Sequence, residues 1–437
     1  MIKKIIKISA LIAMFIIIVY VSVNYYSDKK TTALEIGIFV GSNWEVANAN
    51  SYVIIDKAIG IFEKEHKNVK VSYYSGILKE DYSEWLSRKL LLGEEPDVFM
   101  VLSDDFNQLV NLGALKNIDE LIEKDDSFHK ERFYATTLHT GEHKGVQYAL
   151  PYETVPTLMF VNKTLLSKEG IDIPKSDWSW EDFYSICERV TKDLDGDGTL
   201  DQFGMYNYDW LDAVYTSGGI LFDERNMRIN IAHDSVIESV RLVQKLNTLN
   251  KDQKVTQEDF DSGRVAFMPL PFSDYRTYKT YPYKIKKYMN FQWECITLPA
   301  AKGYNNVSEV NTLLMGISNR SDEEELAWEF LKLLTYNEEI QMDIFRYSQG
   351  ASVLKAVTDS KEAENILQEY MEESEKVIDN ELLSKIIEEG TAVPKLFKYE
   401  EVISLATSEI QGIIEKDKNI ESTLKILQRK VNKYLSQ

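Results

Sequence analysis

The residues best spaced for chemistry lie in the run Asp193-Leu-Asp195-Gly-Asp197-Gly198-Thr199-Leu-Asp201. Oxygen donors at the first, third, fifth, seventh and ninth positions, around a glycine at the sixth, match the start of a calcium-binding loop. Gly198 would take the sharp turn and Thr199 would offer its backbone carbonyl. The twelfth position, where such loops place a bidentate glutamate, is Gly204. A turn between a helix and a strand, closed by Asp side chains bonding to the backbone, accounts for the same composition. In either case the run serves structure and not catalysis.

Other reactive groups are sparse. His139 and His143 stand four apart, but Gly141 between them breaks the helix that a metal pair would need. Cys187 and Cys295 each sit in an apolar stretch far from the other, which points to two buried free thiols. No Gly-x-Ser-x-Gly elbow, HExxH, phosphate loop or Rossmann glycine pattern occurs. Among enzymes a glycoside hydrolase alone stays open, because 70 acidic residues could supply a carboxylate pair that sequence cannot identify. A net charge of −20 argues against nucleic acid as a partner, since phosphate binding needs a basic face.

These residues need a scaffold, and 437 residues are too many for one compact domain. Lys3, Lys4 and Lys7 precede an uncharged run from Ile8 to Val23, a positive region followed by a membrane-directed segment. Its end, Val-Ser-Val-Asn-Tyr-Tyr, is a poor cleavage site, and no nearby cysteine could accept a lipid. An uncleaved anchor with the bulk of the chain outside is favoured over a cleaved signal peptide. After a polar linker, strands over Leu34–Val40, Val69–Tyr74 and Val98–Leu102 alternate with helical patterns over Ser51–His66 and Asp81–Leu92. Such alternation predicts an α/β fold with a mainly parallel sheet covered on both faces. Ligands collect beyond the carboxyl ends of strands in such sheets, which singles out the loops Gly41–Trp44 and Ser103–Asp105. Helical patterns recur over Ser235–Leu249, Glu323–Leu334, Glu362–Glu373 and Val402–Leu435. No flexible linker divides the chain after residue 33, so two lobes that exchange the chain several times fit better than two beads on a string.

A series of short motifs runs through this framework: Glu95-Pro-Asp-Val98, Leu112-Gly-Ala-Leu115, Tyr148-Ala-Leu-Pro151, Leu158-Met-Phe-Val-Asn-Lys163 and Trp178-Ser-Trp-Glu-Asp-Phe183. Gly218-Gly219, Ser262-Gly-Arg-Val-Ala-Phe267, Leu298-Pro299 and Ile317-Ser-Asn319 before Ala327-Trp-Glu-Phe-Leu331 complete it. In this order the motifs resemble the bacterial extracellular solute-binding family that includes maltose-binding protein, over nearly everything from residue 34 onward. The resemblance implies a two-lobed fold of the periplasmic-binding-protein kind, class II, with a hinge between lobes. Chain crossings are expected at Tyr148–Lys163, Asn311–Ile317 and Ser352–Ser360. The expected division is an anchor or signal segment over 1–24, a linker over 25–33, one lobe from 34–149 with 311–353, and another from 150–310 with 354–437. Three departures stand out: no tryptophan in Val101–Asp105, Gly350-Ala-Ser-Val353 where relatives have Gly-x-Pro, and no lipid-acceptor cysteine.

By family position, the ligand-binding candidates are Trp44, Asp104, Asp105, Tyr152, Glu153, Trp210, Asp212, Tyr215, Phe272, Phe397 and Tyr399. Sugar sites need flat apolar surfaces under pyranose rings and planar polar groups for hydroxyls, and this list supplies both. Each aromatic could equally pack in the core, and each carboxylate could equally cap a helix or face solvent. The resemblance implies an extracytoplasmic, monomeric substrate-binding protein of an ABC uptake system, closing on a carbohydrate, with an oligosaccharide expected, beside a membrane permease. No cofactor is required, and calcium at Asp193, Asp195, Asp197, Thr199 and Asp201 would be structural. An anchored sensor or surface protein of the same fold is the alternative.

Overall fold

The computed structural model describes residues 31–44, 46, 48–223, 228–280, 291–368, 378–395, 398–416 and 418–436. The 1–24 segment and Phe397 lie outside them. Among the described residues no helix is long and apolar enough to cross a membrane.

Nine strands form the sheet: β1 (Thr32–Gly37), β2 (Val69–Tyr73), β3 (Val98–Val101), β4 (Ala149–Asn162), β5 (Phe203–Met205), β6 (Val265–Pro271), β7 (Trp293–Ile296), β8 (Glu309–Ile317) and β9 (Thr391–Ala392). They follow the order β2-β1-β3-β8-β4-β6-β5, with β7 also on β4 and β9 on β8. The strand β3, Val-Phe-Met-Val, is buried at all four residues, which is why it reads as an unbroken apolar run. The sheet is mixed and not mainly parallel. β1 runs parallel to β2 and β3, and β5 parallel to β6, but β8 and β4 run antiparallel to each other and to β3 and β6. Alternation with helices does not reveal strand direction; the two long strands run against their neighbours although helices separate them in sequence.

Strand β4 sets the layout. Its first half pairs with β8, from Ala149 opposite Gly316 to Pro156 opposite Val310. Its second half pairs with β6 and β7, beginning with Thr157 opposite Pro271. One continuous strand thus serves two sets of neighbours, and the switch falls between Pro156 and Thr157.

Helices α1 (Val53–Glu65) and α2 (Lys79–Leu92) connect β1, β2 and β3, and α3 (Ser103–Asn111) follows β3. On the far side of the switch, α4 (Trp180–Val190) opens with a capping box between Ser179 and Asp182, and α5 (Trp210–Tyr215) with one between Asp209 and Asp212. Helix α6 (Asp234–Thr248) packs on α5, and α7 (Phe272–Thr280) follows β6. Helices α8 (Glu324–Tyr336) and α9 (Glu338–Tyr347) pack on α1, where Lys57 reaches Asp343 at 2.5 Å. Helix α10 (Asn380–Glu389), expected in the lobe formed by 150–310 with 354–437, makes its contacts with the Ala135–His139 helix and β4; Tyr134 Oη lies 2.7 Å from Ser384 Oγ. The single helical pattern over Val402–Leu435 is two helices, α11 (Tyr399–Lys416) and α12 (Ile420–Leu435), both packed on α6.

Cys187 and Cys295 are buried free thiols. Gly204, in β5, lies so close to α4 that an added Cβ would sit 2.4 Å from Cys187 Cβ and 2.6 Å from its Cα. A Gly204→Ala substitution is therefore expected to push the helix from the strand and cost about 1–3 kcal/mol, as overpacking does. Urea unfolding would show a lower midpoint; an unchanged midpoint would mean that α4 can move without penalty.

Candidate functional site

Three passages of the chain meet beside the switch in β4. Val310 of β8 pairs with Pro156 on one side and with Ala392 of β9 on the other. Gly390, just before β9, fits only without a side chain, since a Cβ would lie 2.3 Å from Val310 Cγ2. The strands leave these crossings towards different partners, so small backbone rotations here would tilt one group of elements against the other.

Next to the crossings, acidic and tyrosine side chains converge from four elements. Tyr215, at the end of α5, and Tyr399, at the start of α11, place their hydroxyls 3.1 Å apart. Glu309, opening β8, accepts from Asn311 Nδ2 at 2.8 Å. Asp209 accepts from the Leu211 and Asp212 amides at the start of α5, and Asp212 bonds back to the Asp209 amide. Asp104 lies in the first turn of α3 rather than in a loop; Val101 runs almost directly into that helix. The fields of Asp104, Asp209 and Glu309 all reach Tyr399, which puts it at the centre of the group.

Burial pushes the Glu309 carboxyl up to about 7, with Asp209 adding to the rise against the Asn311 hydrogen bond. Asp104 is pushed up to about 6 by burial, then by Glu400 and Asp105, against the pull of Lys79. Asp209 is raised by burial, and Asp212 by burial, Asp209 and Glu309. Yet Asp209 is exposed, and Asp104, Asp212, Tyr215 and Glu309 are half-buried. Water still touches these groups while the surrounding protein disfavours their charge.

A second constellation lies around Glu153, buried in the first half of β4. One carboxylate oxygen accepts from the Trp44 indole N–H at 2.9 Å, from the Gly350 amide at 2.6 Å and from the Ser348 hydroxyl. A Cβ on Gly350 would strike this carboxylate at 2.4 Å, so the glycine is required where relatives continue to proline. Burial raises the Glu153 carboxyl while these donors oppose the rise. Through Oε1, Glu153 holds the half-buried Trp44 in place.

The remaining candidates fall elsewhere. Asp105 accepts from Ser83 Oγ at 2.5 Å, tying α3 to α2. Tyr152 is buried beneath β4 and its carbonyl accepts from Gln341. Trp210 is buried in the cluster that α11 and α12 complete, donating to Thr407 Oγ1 at 3.0 Å. Phe272 is fully buried and stacked on Tyr275 at 5.6 Å. Packing claims these three rings: Tyr152 lies within β4, and Trp210 and Phe272 begin helices whose apolar faces must be covered.

In the Asp193–Asp201 loop, carboxylate oxygens of Asp193, Asp195 and Asp197 lie within 4.8 Å of one another. Asp193 also accepts from Gly196 and Gly198, Asp197 from Thr199, and Asp201 from Leu194. His139 and His143 bond instead to the Ala135 carbonyl and to Asn107.

Sequence reasoning missed Asp209, Glu309, Asn311 and Glu400. Asp209 carried a usable sign, an Asp three residues before another at a helix start. Glu309 carried none, because its place follows from β8 running beside β4.

The raised carboxyls carry a sign for stability. Glu309 and Asp104 keep their protons to higher pH when folded than when unfolded, so the folded state binds more protons between the two values. Stability is present below the unfolded carboxylate range and falls as pH rises towards about 7. Ligand-free protein is expected to melt at higher temperature near about pH 6 than near about pH 8, with Glu309→Gln flattening the difference. A melting point rising with pH over that interval would contradict the assignment.

A family model for the bacterial extracellular solute-binding protein matches residues 43–341. Among solved structures, the sugar-binding protein MalE from Xanthomonas citri superimposes with a TM-score of 0.76 at 13% identity, covering 93% of this chain and 98% of that one. The cyclic alpha-maltosyl-1,6-maltose binding protein from Arthrobacter globiformis gives 0.74 at 14% identity, covering 92% and 99%. An ABC substrate-binding protein of Listeria monocytogenes, in complex with cycloalternan, gives 0.67 at 17% identity, covering 93% and 99%. At such identities the structures establish a shared two-lobed α/β fold. With the family model spanning well over half of its length, this chain belongs to the bacterial extracellular solute-binding protein family.

Proposed function

We propose that this protein captures a carbohydrate, an oligosaccharide, outside the cytoplasm and presents it to the permease of an ABC uptake system. The observation that carries this is the meeting of three chain crossings at Pro156, Val310 and Ala392, beside a cluster of tyrosines and carboxylates. A first lobe would comprise β1–β3, the near half of β4, β8 and helices α1–α3 and α8–α10. A second would comprise β5–β7, the far half of β4 and helices α4–α6, α11 and α12. Ligand held by one lobe would gain contacts to the other on closure, and that difference in binding energy would shift the population towards the closed form. Saccharides bound by the Xanthomonas, Arthrobacter and Listeria proteins support the ligand class.

Trp44 would supply a flat face for a pyranose ring, positioned by Glu153. Tyr215, Tyr399, Glu309 and Asp104 would address hydroxyls. The role is binding, without a cofactor and by a monomer, and the 1–24 segment would tether or export the chain. Calcium in the Asp193–Asp201 loop would stiffen the link between α4 and β5; added calcium should then raise the melting temperature over that with a chelator, and equal temperatures would leave the loop closed by its own hydrogen bonds.

Titration calorimetry against linear and cyclic glucose oligosaccharides tests the assignment. One should bind with one-to-one stoichiometry, and Trp44→Ala should weaken it about tenfold or more, a loss of roughly 1.5–3 kcal/mol for an aromatic anchor. Glu153→Gln should cost less than Trp44→Ala, since it keeps one acceptor for the indole. Binding of short peptides with no response to any saccharide would overturn the carbohydrate assignment.

A further inference from the structure

On the far side of the switch in β4, a cavity of about 250 Å³ opens between three segments. They are the turn from β5 into α5, the end of α6 with the loop after it, and the middle of α11. Of the group around Tyr399 only Asp209 lines it; Tyr215, Glu309 and Tyr399 do not. Thr407 to Ile414 lie about 12–22 Å from Tyr399 along α11, at roughly 1.5 Å per residue. Met205, Trp210, Val243, Ile410 and Ile414 give the cavity apolar sides, and five carboxamides share the lining: Asn207, Asn247, Asn250, Gln253 and Gln411.

Asn250 is only 6% exposed, yet its side-chain amide has no hydrogen-bond partner among the described residues. A buried amide left unpaired is costly, so the fold gains when something in the cavity meets it. Lys251 and Asp252, directly after it, have φ of 49° and 64°, a backbone that side-chain-bearing residues seldom adopt. Such strain persists only where the surrounding structure dictates it, so the loop is held and Asn250 with it. The other carboxamides are half spent. Asn247 donates to the Val243 carbonyl at 2.9 Å and Gln411 to Glu415 at 2.9 Å, which leaves each an acceptor oxygen. Gln253 accepts from the Leu200 amide at 3.0 Å, which leaves its N–H groups. Charge is scarce: Lys254 is exposed, and Asp209 accepts from the Leu211 and Asp212 amides.

We propose that this cavity is a second saccharide site, taking one neutral pyranose ring. It shares the ligand class of the function proposed above and rests on that class, but not on the place of the cleft. A hydroxyl both donates and accepts, and so uses the mixed capacity that these amides retain. A phosphate or carboxylate could use only the donors, and an ammonium only the acceptors. The apolar sides suit the C–H faces of a ring. Pockets for drug-sized ligands start at about 300 Å³, so the space fits a single ring and not an oligosaccharide.

Saturation-transfer NMR on the purified full-length protein, with methyl α-D-glucopyranoside as the probe, tests this. Measurements in a Trp44→Ala background weaken the proposed cleft, and the glycoside signal should persist there. Adding Asn250→Leu, close in volume to the native residue, should weaken binding about two- to tenfold, the range for one lost hydrogen bond. Gln411 is exposed, so Gln411→Ala gives a second variant that spares the core, with a smaller loss expected. A signal that vanishes with Trp44→Ala alone, or that both cavity variants leave intact, would overturn the second site while the function proposed above stands. The same holds if the glycoside gives no signal while an oligosaccharide still binds in calorimetry, since the cavity then holds water only. Stronger saturation of glycine than of the glycoside, lost with Asn250→Leu, would overturn the sugar class at this site. Failure of every saccharide, short or long, would count against both readings.

Discussion

The structure depends on the continuity of β4. A buried strand must satisfy its backbone groups along its whole length, and β4 does so by pairing first with β8 and then with β6 and β7. That requirement forces a single strand to belong to two groups of elements. It also places β8 and β9 beside the point where the partners change, so the crossings lie together instead of being scattered along an interface. Pro156, which donates no amide hydrogen, sits at this change of partner, where a missing ladder bond costs least.

The same arrangement explains where the chemistry sits. Strands on either side of the switch send their following segments towards one side, and α3, β8, α5 and α11 deliver carboxylates and tyrosines there. Burial and mutual repulsion raise those carboxyls while water still reaches them. Glu153 shows another solution: a buried carboxylate whose Oε1 accepts three hydrogen bonds, one of which orients Trp44.

Local patterns made much of the scaffold legible. The periodicity of Ser51–His66 and Ser235–Leu249 matches α1 and α6 to within two residues, because an apolar stripe facing a core leaves a 3.6-residue signature. Strand direction was not legible, since β8 and β4 look the same whether they run with or against a neighbour. Of the site residues proposed from sequence, Asp104, Asp212, Tyr215 and Tyr399 come together and Trp44 is held by Glu153, whereas Trp210, Phe272 and Tyr152 are absorbed by packing. An aromatic beside a turn looks alike in both settings; only the tertiary neighbours separate them. Glu309 stayed hidden because its importance comes from the pairing of β8 with β4 and β9, contacts between segments more than eighty residues apart.

The central claim is that two groups of elements, joined by strands at Pro156, Val310 and Ala392, close on a ligand. Small-angle X-ray scattering of the protein with and without a saccharide shown by calorimetry to bind tests it most directly. The account predicts a smaller radius of gyration and shortest maximum dimension in the bound state, reversed when the ligand is dialysed away. An unchanged scattering profile at saturating ligand would contradict hinge closure.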